Sequence, residues 1–143
     1  DAALMAPLRP RDVRTWRTLL TCLVDRSARF QRANPVFARL SVGGRAPPDL
    51  KHIDRDADRA RSAYFLALLE EYFVVPRVPD RERVVYLAVE IVDLSFTLSM
   101  MESGRITAAW VAYAKTAATA LLEKYLGNSL PRRPRTALHR RHT

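Results

Sequence analysis

Apolar residues return every three or four positions over most of this chain, and no run of Val, Thr and aromatic residues alternates with period two. That spacing predicts an all-α fold of about five helices. The first expected helix runs from Asp12, a capping residue, to Ala33. Its inner stripe is Val13, Trp16, Leu19, Leu20, Leu23, Val24, Ser27 and Phe30, with arginines on the other sides. Asn34-Pro35 reads as a cap followed by proline at the first helical position, opening a short helix through Leu40 or Ser41. Gly43-Gly44 ends it, and "RAPP" is a spacer. A third helix is expected from Asp49 to Phe73, with Leu50, Ile53, Ala57, Ala60, Tyr64, Leu68 and Tyr72 as its main stripe. Its charged start holds pairs such as Asp56–Arg59 and Asp58–Arg61, which read as solvated and worth tenths of a kcal/mol each. Phe65, Leu66, Leu69 and Phe73 widen its second half. Pro76 and Pro79 stop it, and Asp80 reads as the cap of a fourth helix to Glu102. Gly104 breaks the chain before a fifth helix ending at Leu126, with Gly127 as the stop.

The last two helices are apolar on nearly every side. On a helical wheel the segment "VVYLAVEIVDLSFTLSMM" places Tyr86, Glu90, Asp93 and Thr97 on one polar stripe. Val84, Ala88, Ser95 and Ser99 form a strip of small residues, flanked by Leu87, Ile91, Leu94 and Leu98 on one side. Val85, Val89, Val92, Phe96 and Met100 flank it on the other. The fifth helix is alanine-rich, with Trp110, Tyr113, Leu121 and Tyr125 between the alanines. Three other helices are too few to cover so much apolar surface, so a second copy of the same pair is expected to do so. Ala88, Ser95, Ser99, Trp110, Tyr113, Ala117 and Leu121 are the expected contacts of this four-helix interface. The competing reading is two interior helices of a monomer.

Size and charge add limits. With 143 residues the chain fits one domain with one core. Its net charge is +9, but Arg132, Arg133, Arg135, Arg140 and Arg141 crowd the end with no acid among them. Residues 128–143 therefore read as a basic, disordered tail that aids solubility, or as a contact for nucleic acid phosphates. The single cysteine, Cys22, excludes an internal disulfide and suits a reducing compartment. Glu90 and Asp93 near the centre of the apolar segment argue against a membrane span. His52 and Asp56 share a helix face, but at its charged start they suit a solvated pair better than metal ligands. No metal or other cofactor is expected. Without a phosphate loop, a Ser/His/Asp set or a CxxC, an enzyme is disfavoured.

The order of elements resembles a known family. A long helix closes in "RFQRANPVFARL". The charged-start helix "DLKHIDRDADRARSAYFLALLEEYF" follows, then "PDRERVVYLAVEIVDLSFTLSM" and a last helix ending in "EKYLG". Over residues 12–127 this is similar to the C-terminal regulatory domain of TetR-like (tetracycline-repressor-like) bacterial transcription regulators. The resemblance implies a cytoplasmic regulator, in the usual case a repressor, that binds a small hydrophobic or aromatic effector and forms a homodimer. It implies that a separate N-terminal helix-turn-helix domain grips operator DNA. No "YYHF"-like motif of that domain is present, so residues 1–11 read as a lead-in from it.

The resemblance also implies an effector pocket among the first, third and fourth helices. Its expected lining is Trp16, Leu20, Leu23 and Phe30, then Phe65, Leu69 and Phe73, with Tyr86, Glu90, Asp93 and Phe96 supplying the ends. Each apolar residue among these is equally readable as plain core. Glu90 and Asp93 leave three readings open: a wet stripe, a pairing with arginine from the first or third helix, or an anchor for a cationic or hydrogen-bonding effector. Two rival functions stay open beside the regulator. One is a helical dimerisation module without a pocket, and the other a nucleic-acid-binding helical protein using its arginines and tail.

Overall fold

A computed structural model describes residues 5–35 and 48–134, with backbone only for 48–54. The elements are a short 3-10 helix, Pro10–Val13, and four α-helices: α1 (Trp16–Ala33), α2 (Pro48–Tyr72), α3 (Arg81–Ser103) and α4 (Ala108–Leu126). The short helix expected from Asn34-Pro35 falls on residues outside those described.

Local chemistry sets the boundaries. Asp12 does not start α1. Its carboxylate accepts the Arg9 backbone N–H at 2.9 Å and Arg9 Nε at 3.3 Å, which closes the 3-10 turn instead. Thr15 takes over as the cap of α1: its hydroxyl accepts the Thr18 N–H at 3.1 Å, and the Thr18 hydroxyl accepts the Thr15 N–H at 3.0 Å. Asp80 stands at the cap of α3 but makes no side-chain cap bond, because its backbone is left-handed, φ 59°. Gly104 (φ 69°) supplies the left-handed turn that ends α3, where a Cβ would be strained. Thr107 then caps α4 by accepting the Trp110 N–H at 3.3 Å.

α3 and α4 form a helical hairpin, the most extensively packed pair in the structure. α2 lies against α3, and α1 lies against α4. Lys115–Asp25 at 2.7 Å and Arg17–Glu123 at 3.0 Å tie α1 to α4 along their outer edges. The core draws Trp16 and Leu19 from α1, Leu69 from α2 and Phe73 just beyond its end, Phe96 from α3, and Ala118 and Leu122 from α4.

Three expectations are corrected. First, the small strip of α3 faces inward. Ala88, Ser95 and Ser99 are buried, as are Ala114 and Ala118 of α4. Small side chains serve close approach of α3 to its own neighbour, so these three α3 residues are not open to a second copy. The outward face carries large residues instead: Leu87, Leu94 (56% exposed), Leu98 and Met101 (68%) on α3, and Tyr113 (59%) on α4. Ala117 is also exposed, while Trp110 and Leu121 are half-buried. Trp110 stands edge-on to Tyr113 at 5.4 Å.

Second, the buried stripe of α2 is Asp58, Ser62, Phe65, Leu69 and Phe73, joined by Leu68. It lies one residue round from the expected stripe, and Ala60 faces solvent. Polar Asp58 and Ser62 disguised it.

Third, the start of the basic tail is docked. Arg132 bridges Phe73 in antiparallel fashion. Val74 N–H donates to the Pro131 carbonyl at 2.8 Å, and Arg133 N–H donates to the Tyr72 carbonyl at 3.0 Å. The backbone groups freed where α2 ends are satisfied by this segment.

Candidate functional site

Where α1, α2 and α3 diverge, the core opens into a cavity of about 90 Å³. α1 reaches it over most of its length, with Leu20, Leu23, Val24, Ser27 and Gln31. α2 contributes Asp58, Arg61, Tyr64 and Phe65, and α3 contributes Ala88, Val89, Val92, Asp93 and Phe96. A cavity of ~150 Å³ accommodates benzene. This one has room for a few waters and must widen to take a ring.

The walls are apolar, and the polar groups gather on one side. Asp58 is 2% exposed and pairs with Arg61 at 2.5 Å. Burial pushes its carboxyl up to about 7; the like charge of Asp93 adds to this, Arg61 opposes it, and Glu90 adds a smaller push. Gln31 is 5% exposed, and its Oε1 has no hydrogen-bond partner among the described residues. The Oε1 of Glu90 is likewise buried and unpartnered. A hydrogen bond with Glu90, followed by burial, raises the Tyr86 hydroxyl above its ordinary range. The Arg59 guanidinium lies 5.6 Å from the Tyr86 ring centroid.

Of the residues expected to form the site, Leu20, Leu23, Phe65, Asp93 and Phe96 meet at the cavity. Trp16, Leu69 and Phe73 do not; they are fully buried core residues. Phe30 is half-buried on α1 away from the cavity lining. Tyr86 lines a separate groove between α2 and α3 with Arg59 and Glu70. Glu90 acts behind the cavity wall through its charge on Asp58.

Sequence reasoning missed Asp58, Arg61 and Gln31. The Asp58–Arg61 pair was expected in solvent, yet Asp58 is among the most buried polar residues described. The signal was present in the spacing. Asp58, Ser62, Phe65, Leu69 and Phe73 follow one another by three or four residues, the repeat of a buried face.

This chain belongs to the tetracyclin repressor-like C-terminal domain family, whose model matches residues 14–126. It is thus a domain of the TetR-like regulator type. No curated protein and no solved structure matches the chain.

Proposed function

We propose that this chain is the ligand-responsive half of a bacterial, cytoplasmic transcription regulator, acting as a repressor. A small effector binds among α1, α2 and α3. Two copies associate through the outward face of α3 and α4, and operator DNA is contacted by a separate N-terminal helix-turn-helix domain. The observation that carries this reading is the cavity itself. A helical module that served only to dimerise would interdigitate Trp16, Phe65, Phe73 and Phe96 and leave no void; Trp16 and Phe73 do pack fully into the core, whereas Phe65 and Phe96 border an opening whose polar groups converge on one side.

The dimer has separate support. α3 is long and apolar enough to cross a membrane by length and composition, yet only 33% of its most apolar stretch is buried within the chain. Glu90 and Asp93 lie inside that stretch, which makes a protein partner the better cover. In such a dimer, an effector that spreads α1 from α3 favours one arrangement of the two copies over another. It shifts the population only by its difference in affinity for the two.

Thermal melting with phenol, indole and benzylamine tests the reading. A ligand at ten times its Kd stabilises by ~1.4 kcal/mol, which moves the melting point by about 4 °C. At least one of the three is expected to do so. Ser27→Phe, which fills the cavity from α1, should fold and lose the response. If no ligand stabilises the parent, or the variant responds equally, the cavity is not a ligand site.

A further inference from the structure

The charged groups described at the cavity are already engaged with the protein itself. Asp58 holds Arg61, and Asp93 has a partner of its own. Gln31 differs. It lies near the end of α1 and is nineteen-twentieths buried, yet its Oε1 accepts no hydrogen bond among the described residues. The helix end does not need that atom. The main-chain carbonyl of Gln31 accepts the Asn34 N–H at 3.2 Å, and the Asn34 side-chain amide donates to the Phe30 carbonyl at 2.8 Å. Buried acceptors are almost always paired in folded proteins, and an unpaired one is costly.

We propose that the Gln31 side-chain oxygen anchors the ligand of this cavity, and that it selects an uncharged single-ring compound bearing a hydroxyl. A hydroxyl both donates and accepts. It can donate to Gln31 Oε1 while accepting from the hydroxyl of Ser27, which lies four residues earlier on the same face of α1 and lines the same space. The terminal torsion of a glutamine is soft, so the amide can turn onto the ligand. Tyr64, Phe65 and Phe96 border the cavity and offer a ring edges and faces to pack on. The volume of about 90 Å³ widens to one ring more readily than to two. A ligand with a methyl group in place of the hydroxyl would displace water from Gln31 without replacing its hydrogen bond, and would bind more weakly for it.

This inference rests on the cavity being the effector site, and the two fail separately. Binding of phenol, anisole and toluene is measured calorimetrically at pH 7.5, where phenol is uncharged. Phenol is expected to bind tightest, because the other two bring no donor. Gln31→Met keeps the volume and removes the acceptor. It should lower the ratio of phenol to toluene affinity about tenfold, with toluene affinity changed by no more than about threefold. The variant loses an unpaired buried oxygen, so its unfolding midpoint should equal or exceed the parent's; Gln31→Leu repeats the test should it not fold. If toluene or anisole binds the parent as tightly as phenol, hydroxyl selection is wrong and the cavity reading survives. A phenol preference that neither variant reduces also overturns the anchor. Silence from all three ligands overturns both readings.

Discussion

Burial, and after it the like charge of Asp93 on α3, raises the proton affinity of Asp58 on α2, even though Arg61 pairs with Asp58 directly. The relationship makes stability depend on pH in a defined direction. The folded chain keeps the Asp58 proton up to about pH 7, whereas an unperturbed aspartate releases it near 3.8. Between those values the folded state holds more protons than the unfolded state, so stability falls as pH rises. At ~1.4 kcal/mol per pH unit the loss is at most about 4 kcal/mol. Asp12 acts outside this window: the Arg9 N–H lowers its carboxyl below 3.8, so its contribution is lost only in stronger acid. Urea unfolding at pH 5 and pH 8 checks the sign. Asp58→Asn should flatten the dependence and exceed the parent's stability at pH 8. A parent equally stable or more stable at pH 8 would contradict the burial of an ionisable Asp58.

Ser99 locks the hairpin of α3 and α4. Its hydroxyl donates to the Arg105 carbonyl at 2.7 Å and accepts the Thr107 N–H at 2.9 Å, and the residue is fully buried. Ser99→Ala strands both backbone groups at roughly 1–3 kcal/mol each. A loss of about 2 kcal/mol or more in denaturant unfolding is expected. A loss below about 0.5 kcal/mol would mean that the turn is held by other contacts.

Association should follow the large outward residues rather than the small strip. Leu94→Glu places a charge on a face that is already exposed in the single chain. It should therefore leave unfolding of the monomer nearly unchanged while shifting sedimentation from dimer to monomer. Dimerisation that persists in both Leu94→Glu and Tyr113→Glu would move the interface elsewhere.

The segment that follows α4 contributes to folding. Pro131 and Arg133 make two backbone hydrogen bonds to the end of α2, and Arg133 Nε adds a third to the Phe73 carbonyl at 3.2 Å. At roughly 1 kcal/mol each, truncation before Pro131 should cost about 2–3 kcal/mol. Truncation after Pro134 should cost almost nothing. Equal stability of the two truncated forms would return residues 131–134 to the role of a solubility tail.

Much of this architecture was legible because helix punctuation is local. Gly104, Gly127, Pro76 and Pro79 marked ends that hold to within a residue or two, and Trp16, Leu19, Leu20 and Val24 fell on the correct face of α1. What local pattern could not show was which face met which neighbour. The small strip of α3 fitted an external partner and an internal one equally well; only the position of α4 decides between them. Asp58 was misplaced for a related reason. Its near neighbours in sequence are charged, so it resembled a solvated residue. The groups that make its burial consequential, Asp93 and Gln31, lie on other helices and meet it only through the fold.

The most direct measurement is the side-chain carboxyl carbon shift of Asp58, followed by NMR across pH with and without phenol. A midpoint near 7 in the free protein, moving up when phenol is present, is the expected result, because a ring that displaces water deepens the burial of the carboxyl. A midpoint near the ordinary 3.8, or one that phenol does not move, would contradict a buried acidic ligand site among α1, α2 and α3.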